Sequence, residues 1–367
     1  MIPYGHQQLD WADVKAVLKV LKSDRLTTGP KISEFEKALS KYCGAGYAVV
    51  FSSGTAALHA AYFAAGLKKG DEFITSPLTF AATANAGLYL RAKPVFADIE
   101  WETGNISPKE VERKITRRTK AIVAVDYGGF PAKLSELGKI AKRHKLFLIE
   151  DAAHALGASY RGRKIGGISD LTAFSFQPVK SITTGEGGAV LTARRDFYEK
   201  MLAFRHHGIA SDARMRFLGF NYRLSDIHSA LGISQLKKLG SFIKKRREIA
   251  RRYREAFKDI PDLILHRETP GAKSSWHLYP IRLSGKLAGR RQEIFEKLRA
   301  SGIGVQVHYL PVYQHPYYQK LGYKKGLCPD AEKFSESEIS LPIFPSLTLK
   351  EQAFVVKILI NHVARMA

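Results

Sequence analysis

The feature that most constrains this chain is a series of short apolar runs: YAVVF from Tyr47, EFIT from Glu72, KPVFAD from Lys93, KAIVAVD from Lys120 and LFLIED from Leu146, each followed or preceded by a stretch with helical spacing. Continuous apolar runs of this length, alternating with helices, predict strands covered on both faces, and hence a mostly parallel sheet built from βαβ units. Polar residues gather where the runs stop. Ser52, Ser53 and Thr55 follow the first, Ser76 and Thr79 the second, and Asp126 and Asp151 close two others. In open α/β sheets the crevice beyond the carboxyl ends of the strands is the ligand site, so this edge is the candidate site.

Around this sheet the pattern predicts two domains. Asp10 is a good N-cap for an amphipathic helix with Val14, Val17, Leu18 and Leu21 on one face. Near residue 240 the character changes: WHLYPIRL, a helix from about Arg290 to Ser301, GIGVQVHYLP and a closing helix after Leu349. The division is a large domain at 1–240 and a smaller α+β domain at 241–367. A chain of 367 residues with 45% hydrophobic and 25% charged residues can bury such cores. No internal repeat or low-complexity segment interrupts it.

Composition removes several function classes. No apolar run approaches bilayer length, and MIPYGHQQLDW lacks the layout of a secretory signal, so the cytoplasm is the default compartment and no membrane is expected. Cys43 and Cys328 are the two cysteines, which supports neither a disulfide framework nor a thiolate metal site. The formal charge of +24 makes anionic partners relevant. Part of it is concentrated in KKLGSFIKKRREIARRYR, from Lys237 to Arg254, with nine Lys or Arg residues and one Glu. Phe242, Ile249 and Tyr253 give this segment an apolar stripe, so it reads as a helix with a solvated basic face. No nucleic-acid-binding fingerprint accompanies it.

Three segments carry chemistry. SSGTAALHAA, from Ser52, is a strand end, a small-residue turn and a helix start, which can hold a phosphate on exposed amides; a plain capped helix reads the same way. EDAAHALGA, from Glu150, sets Asp151 just past an apolar strand, where an unpaired carboxylate is costly; a helix cap is the bland alternative. FSFQPVKSITTGEGGAV, from Phe174, puts Lys180 between a strand and a return through Gly185, Gly187 and Gly188. Desolvation there would lower the amine pKa and make it a nucleophile for a carbonyl. A phosphate cradle, a carboxylate for a ring nitrogen and a carbonyl-trapping lysine together are what pyridoxal 5'-phosphate requires.

The chain resembles the nucleotide-sugar aminotransferases of the DegT group, in the fold type I pyridoxal-phosphate superfamily. The resemblance covers nearly the whole length, in RLTTGPKISEFEKAL, SSGTAAL, SPLTFAATANA, EDAAHALGA, FSFQPVKSITTGEGGAV, GFNYRLSDIHSALG and VQVHYLPVY. It implies that Lys180 joins the cofactor aldehyde as a Schiff base. It implies further that Asp151 pairs with the pyridine nitrogen, that His154 lies near the phenolic oxygen, and that Phe80 stacks on the ring. Gly54, Thr55 and Ser175 would hold the phosphate, and Asn221 would reach the neighbouring subunit's cofactor in a homodimer. Similarity in VDYGG, SSWHLYPI and VQVHYLPVYQ runs to the aminotransferases of the pseudaminic acid pathway, which act at C-4 of a UDP-linked 4-keto-6-deoxy-N-acetylhexosamine. The same resemblance implies that Tyr4, Arg25, Leu26, Thr27, Thr28, His308 and Tyr309 contact the nucleotide sugar. Gln177 departs from the group, where many members have histidine.

These readings lead to one expected activity, a ping-pong transamination with glutamate as amino donor and a nucleotide keto sugar as acceptor, Lys180 moving the proton. A dTDP-linked sugar is an alternative acceptor. A sugar dehydratase of the same fold carries histidine at the lysine position, which Lys180 argues against. A non-catalytic cofactor-binding regulator would need a DNA-binding segment that the chain has no spare region to supply.

Overall fold

The computed structural model describes residues 1–364. The apolar runs form strands β1 (Tyr47–Phe51), β2 (Glu72–Thr75), β3 (Lys93–Phe96), β4 (Thr119–Val125) and β5 (Phe147–Asp151). Two short strands, β6 (Ser159–Tyr160) and β7 (Arg163–Lys164), precede β8 (Leu171–Ser175) and β9 (Gly188–Thr192). Seven of these make one sheet in the order β1-β9-β8-β5-β4-β2-β3, parallel except for β9, which runs against both β1 and β8. The reversal brings Gly188, the first residue of β9, to the edge where β1 and β8 end.

The helices are α1 (Trp11–Leu21), α2 (Pro30–Cys43), α3 (Gly54–Ala64), α4 (Ala82–Tyr89), α5 (Pro108–Lys114), α6 (Leu134–Arg143) and α7 (Arg195–Phe204). They are followed by α8 (Asp226–Phe257), α9 (Arg291–Ala300), α10 (Pro316–Lys320), α11 (Pro329–Ser337) and α12 (Leu349–Ala364). Both faces of the sheet are covered, which explains the continuous apolar runs. Val50, Ile74, Ile122 and Ala124 turn to a core shared with α2, α6 and α8. Val49, Phe51, Phe73 and Val123 turn to the other core, beneath α3 and α7.

The remaining strands are β10 (Leu263–Leu265), β11 (Ala272–Lys273), β12 (Tyr279–Leu283) and β13 (Glu338–Leu341). Strands β10, β12 and β13 form an antiparallel sheet, which shares a separate apolar core with Ile249, Tyr253 and Phe257 of α8 and with residues of α9 and α12. Helix α8 runs without a break across residue 240, so one rod serves both cores. The extreme N-terminus joins the second unit, where Ile2 bridges Ile303.

Two helices set polar groups inward. In α1 the residues Trp11, Val14, Leu18 and Leu21 are exposed, and the inner face carries Asp13 and Val20. Its carboxylate accepts from Gln235 Nε2 (2.8 Å) and pairs with Lys238 on α8, while Asp10 and Asp13 close a capping box. The charge on α8 is likewise less solvated than its composition suggests. Arg246 is fully buried and donates through Nη1 to the carbonyls of Trp276, His277 and Ile343, and Arg247, Arg252 and Arg254 also bond groups outside the helix. Much of that basic segment fastens the second half of α8 to the rest of the second unit.

Candidate active site

The carboxyl edge of the large sheet opens into a cavity of about 650 Å³, roofed by the 306–310 segment of the second unit. At one end lies the start of α3. Ser53 caps it, its Oγ accepting from the Ala56 amide (3.1 Å), and the first amide bonded back into the helix is that of Ala57. The amides of Gly54 and Thr55 precede it and are available to an anion, with the helix dipole behind them. A side chain at residue 54 would put its Cβ 2.8 Å from the Cβ of Ser175, and one at residue 188 would meet the Ser53 carbonyl at 2.6 Å. The sequence needs glycine at both positions because three backbones converge there.

Asp151 ends β5 on the cavity floor and is buried. Its Oδ2 accepts from Thr83 Oγ1 (2.6 Å), which in turn contacts Thr79 Oγ1 (2.6 Å), and its Oδ1 accepts from the Ala153 amide (3.2 Å). Burial pushes its pKa up, and these donors and the charge of Lys180 pull it back down. The site is therefore built to hold a carboxylate whose strongest remaining need is a cation.

Lys180 lies on the loop between β8 and β9. Phe176 N donates to the Gly187 carbonyl (2.8 Å), Thr184 N and Thr183 Oγ1 both donate to the Phe176 carbonyl, and Gly185 takes φ +80°. The lysine is half-buried, its open side toward the cavity. Desolvation lowers its pKa from 10.5 to about 8 against the opposing pull of Asp151. That makes roughly 300-fold more free amine at neutral pH than an ordinary lysine offers.

His154 is buried, with Nε2 3.2 Å from Tyr309 Oη and its ring against that of His277 at 4.2 Å. Burial and the charge of Lys180 hold it well below the usual histidine range, so it is neutral. Phe80 also lines the cavity, 66% exposed, an aromatic face with room for a ring against it.

The cavity thus brings together Tyr4, Gly54, Thr55, Phe80, Asp151, His154, Ser175, Lys180, His308 and Tyr309, all expected from the sequence, and Gln177 is at its wall. It does not bring in Arg25, Leu26, Thr27 or Thr28, which are exposed elsewhere, nor Asn221. The Asn221 segment is anchored near the end of β1, where the Ser52 amide donates to the Tyr222 carbonyl (2.8 Å), but Asn221 itself faces outward. Thr83, His277, Gln306 and His315 belong to the site without having been singled out. His277 stands in SSWHLYPI, Thr83 in SPLTFAATANA and Gln306 in VQVHYLPVY, segments noted for their similarity, but nothing within those segments set these three residues apart.

Residues 7–360 match the model of the DegT/DnrJ/EryC1/StrS aminotransferase family. The UDP-4-amino-4,6-dideoxy-N-acetyl-beta-L-altrosamine transaminase of Campylobacter jejuni serotype O:23/36 is 44% identical over 362 residues, covering 97% of this chain and 96% of that protein. Among solved structures, Helicobacter pylori PseC, an aminotransferase involved in the biosynthesis of pseudaminic acid, superposes with a TM-score of 0.94 at 40% identity, covering 99% of both chains. Spr1654 from Streptococcus pneumoniae, solved in its PLP form, gives 0.95 at 28% identity, covering 100% of this chain and 99% of that one. With the lysine, the carboxylate and the helix start in one cavity, these matches place the chain in the DegT/DnrJ/EryC1/StrS aminotransferase family.

Proposed function

We propose that the protein uses pyridoxal 5'-phosphate to move an amino group from glutamate to C-4 of a UDP-linked 4-keto-6-deoxy-N-acetyl-altrosamine. The observation that carries this reading is Lys180, an amine with lowered pKa in one cavity with a buried carboxylate and an open helix start. The named activity of relatives 40–44% identical over nearly the full chain supports the choice of sugar. The neighbour in its PLP form supports the cofactor.

The residues present fit that cofactor. The amides of Gly54 and Thr55, with Ser175, would hold its phosphate, and Phe80 would cover one face of its ring. Asp151 would keep a proton on the ring nitrogen, and His154, neutral, would lie beside the phenolic oxygen. When bound, pyridoxal phosphate supplies an aldehyde that takes up the amino group and a ring that accepts the electrons of the deprotonated substrate carbon. Lys180 has two tasks. Its free-amine fraction would let it join the aldehyde, and once released it would move a proton between the substrate carbon and the cofactor carbon, first with glutamate and then with the sugar.

Tyr4, His308 and Tyr309 would meet the sugar. Arg25 to Thr28 and Asn221 are outside the cavity of a single chain, and we assign them to the active site of a second copy in a homodimer. The apolar face of α1, with Trp11, Val14, Leu18 and Leu21 exposed, supplies a surface for that copy to cover. Sedimentation of the purified protein at the mass of a dimer is the expected result.

The direct test incubates the enzyme with glutamate and a panel of UDP- and dTDP-linked keto sugars, following bleaching and recovery of the cofactor absorbance. Recovery with the UDP-linked 4-keto altrose derivative is expected; recovery with a dTDP sugar alone would overturn the choice of acceptor. Borohydride reduction followed by peptide mass mapping should find the cofactor on Lys180.

A further inference from the structure

The 306–308 segment lies beside β13, pairing Gln306 with Ser340, so that His308 comes opposite Glu338. Three polar side chains on these strands are joined in a line. Glu338 Oε2 accepts from the His308 amide (2.7 Å), Glu338 Oε1 contacts Ser340 Oγ, and Ser340 Oγ is 2.9 Å from Nδ1 of the His308 ring. Glu338 and Ser340 are sealed from solvent, whereas His308 lines the cavity. The Tyr127 hydroxyl donates to the His308 carbonyl (2.6 Å), which holds the backbone of this segment in place.

A serine hydroxyl has one hydrogen to give. If Glu338 is ionised it can only accept, so Ser340 donates to it and must accept from Nδ1–H of His308; the other ring nitrogen, Nε2, is then a bare acceptor. If Glu338 holds a proton it donates to Ser340, Ser340 donates to Nδ1, and Nε2 carries the hydrogen. We propose that Glu338, acting through Ser340, decides which nitrogen of His308 bears the hydrogen, and so whether the cavity meets a hydrogen-bond donor or an acceptor at that point. Glu338 and Ser340 are positioning residues for substrate selection. The donor form suits a keto oxygen or another acceptor-only group of the sugar nucleotide, and the acceptor form suits a hydroxyl. This use of the relay rests on the amino-transfer reading of the cavity.

Burial and the charge of Lys180 hold the His308 pKa at about 3, so the ring stays neutral and changes tautomer rather than charge. Burial raises Glu338 to about 8, partly offset by Ser340, the His308 amide and the charges of Arg291 and Arg282. Tyr127 also faces this carboxyl. Around the imidazole are Lys180, His154 and His277, with Tyr4 and Tyr309 packed on its ring. Glu338 is the group connected to Nδ1 through a hydroxyl, which is why its proton, and not theirs, sets the tautomer.

The test is a long-range proton–nitrogen NMR correlation on cofactor-loaded protein labelled with ¹⁵N-histidine, the His308 signals assigned by their loss in His308→Gln. Wild type should pass from Nε2–H to Nδ1–H as pH rises through about 8. Glu338→Gln should stay Nε2–H at every pH, because its amide oxygen must meet the His308 amide and its NH₂ must then donate to Ser340. Ser340→Ala should lose the pH-linked change while keeping the fold, checked by the remaining histidine signals. In steady state, KM for the keto sugar should carry in wild type a change of about tenfold across that pH range, the scale of one hydrogen bond, that is missing in Glu338→Gln, Lys180 titrating alike in both. A His308 tautomer that is the same in wild type and Glu338→Gln at all pH values would overturn the proposal. Failure of glutamate to bleach the cofactor band in wild type would instead sink the amino-transfer reading, leaving the NMR result to judge the relay separately.

Discussion

Replacing Asp151 with asparagine removes a formal charge from the cavity floor and changes little else. The amide oxygen can keep the 2.6 Å bond from Thr83, and the loss is the 3.2 Å bond from the Ala153 amide, worth about 1 kcal/mol. The fold should survive this. A carboxylate within hydrogen-bonding range of a ring nitrogen raises that nitrogen's pKa by roughly 1–3 units, which is about 1.4–4 kcal/mol. If that stabilisation is felt mainly in the step that removes the substrate proton, Asp151→Asn should slow the glutamate half-reaction by about 10- to 1,000-fold. The same substitution has a second, opposite signature. Asp151 also holds the free Lys180 amine up toward its ordinary pKa, so in cofactor-free protein the variant should lower the pKa of that amine further below about 8. Stopped-flow absorbance at saturating glutamate reads the first effect and a static titration the second. A variant that turns over within twofold of wild type would refute the assignment of Asp151 to the ring nitrogen.

Thr83→Val removes a donor that lowers the Asp151 pKa; the carboxylate should then protonate at higher pH, and the acid limb of kcat/KM should move up by about one unit. Gly188→Ala brings a Cβ to 2.6 Å from the Ser53 carbonyl and 2.8 Å from the Gly54 backbone, so the helix start should be displaced and cofactor affinity, measured by equilibrium dialysis, should fall by at least about tenfold. Arg246→Met leaves three buried carbonyls without their donor, and urea unfolding should show a loss of about 2–5 kcal/mol with the cofactor chemistry of the surviving folded protein unchanged in kind.

The legible part of this protein is local. Runs such as YAVVF and KAIVAVD carry their own burial, because a strand covered on both faces must be apolar at every position; the sheet and its loaded carboxyl edge follow from them. Asp151 stood out because it closes a strand, and Lys180 because it lies on the short return between two strands, both at the edge where an α/β sheet puts its ligand. Periodicity was less reliable for α1. Its apolar stripe was plain, yet a stripe says only that one face differs from the other and not which neighbour covers it. Asp13, 222 residues from its partner Gln235, took the inward face instead.

Segment order, the strand series, the glycines at the helix start and the loop position of Lys180 were therefore determined by the amino-acid sequence on its own, since each depends on residues adjacent or a few positions apart. The bond from Thr83 to Asp151 across 68 positions, the interior use of Arg246 and the line from Glu338 through Ser340 to His308 were decided only by tertiary structure. Hydrogen bonds of that kind require particular atoms within about 3 Å, and chain packing, not spacing along the chain, sets that distance.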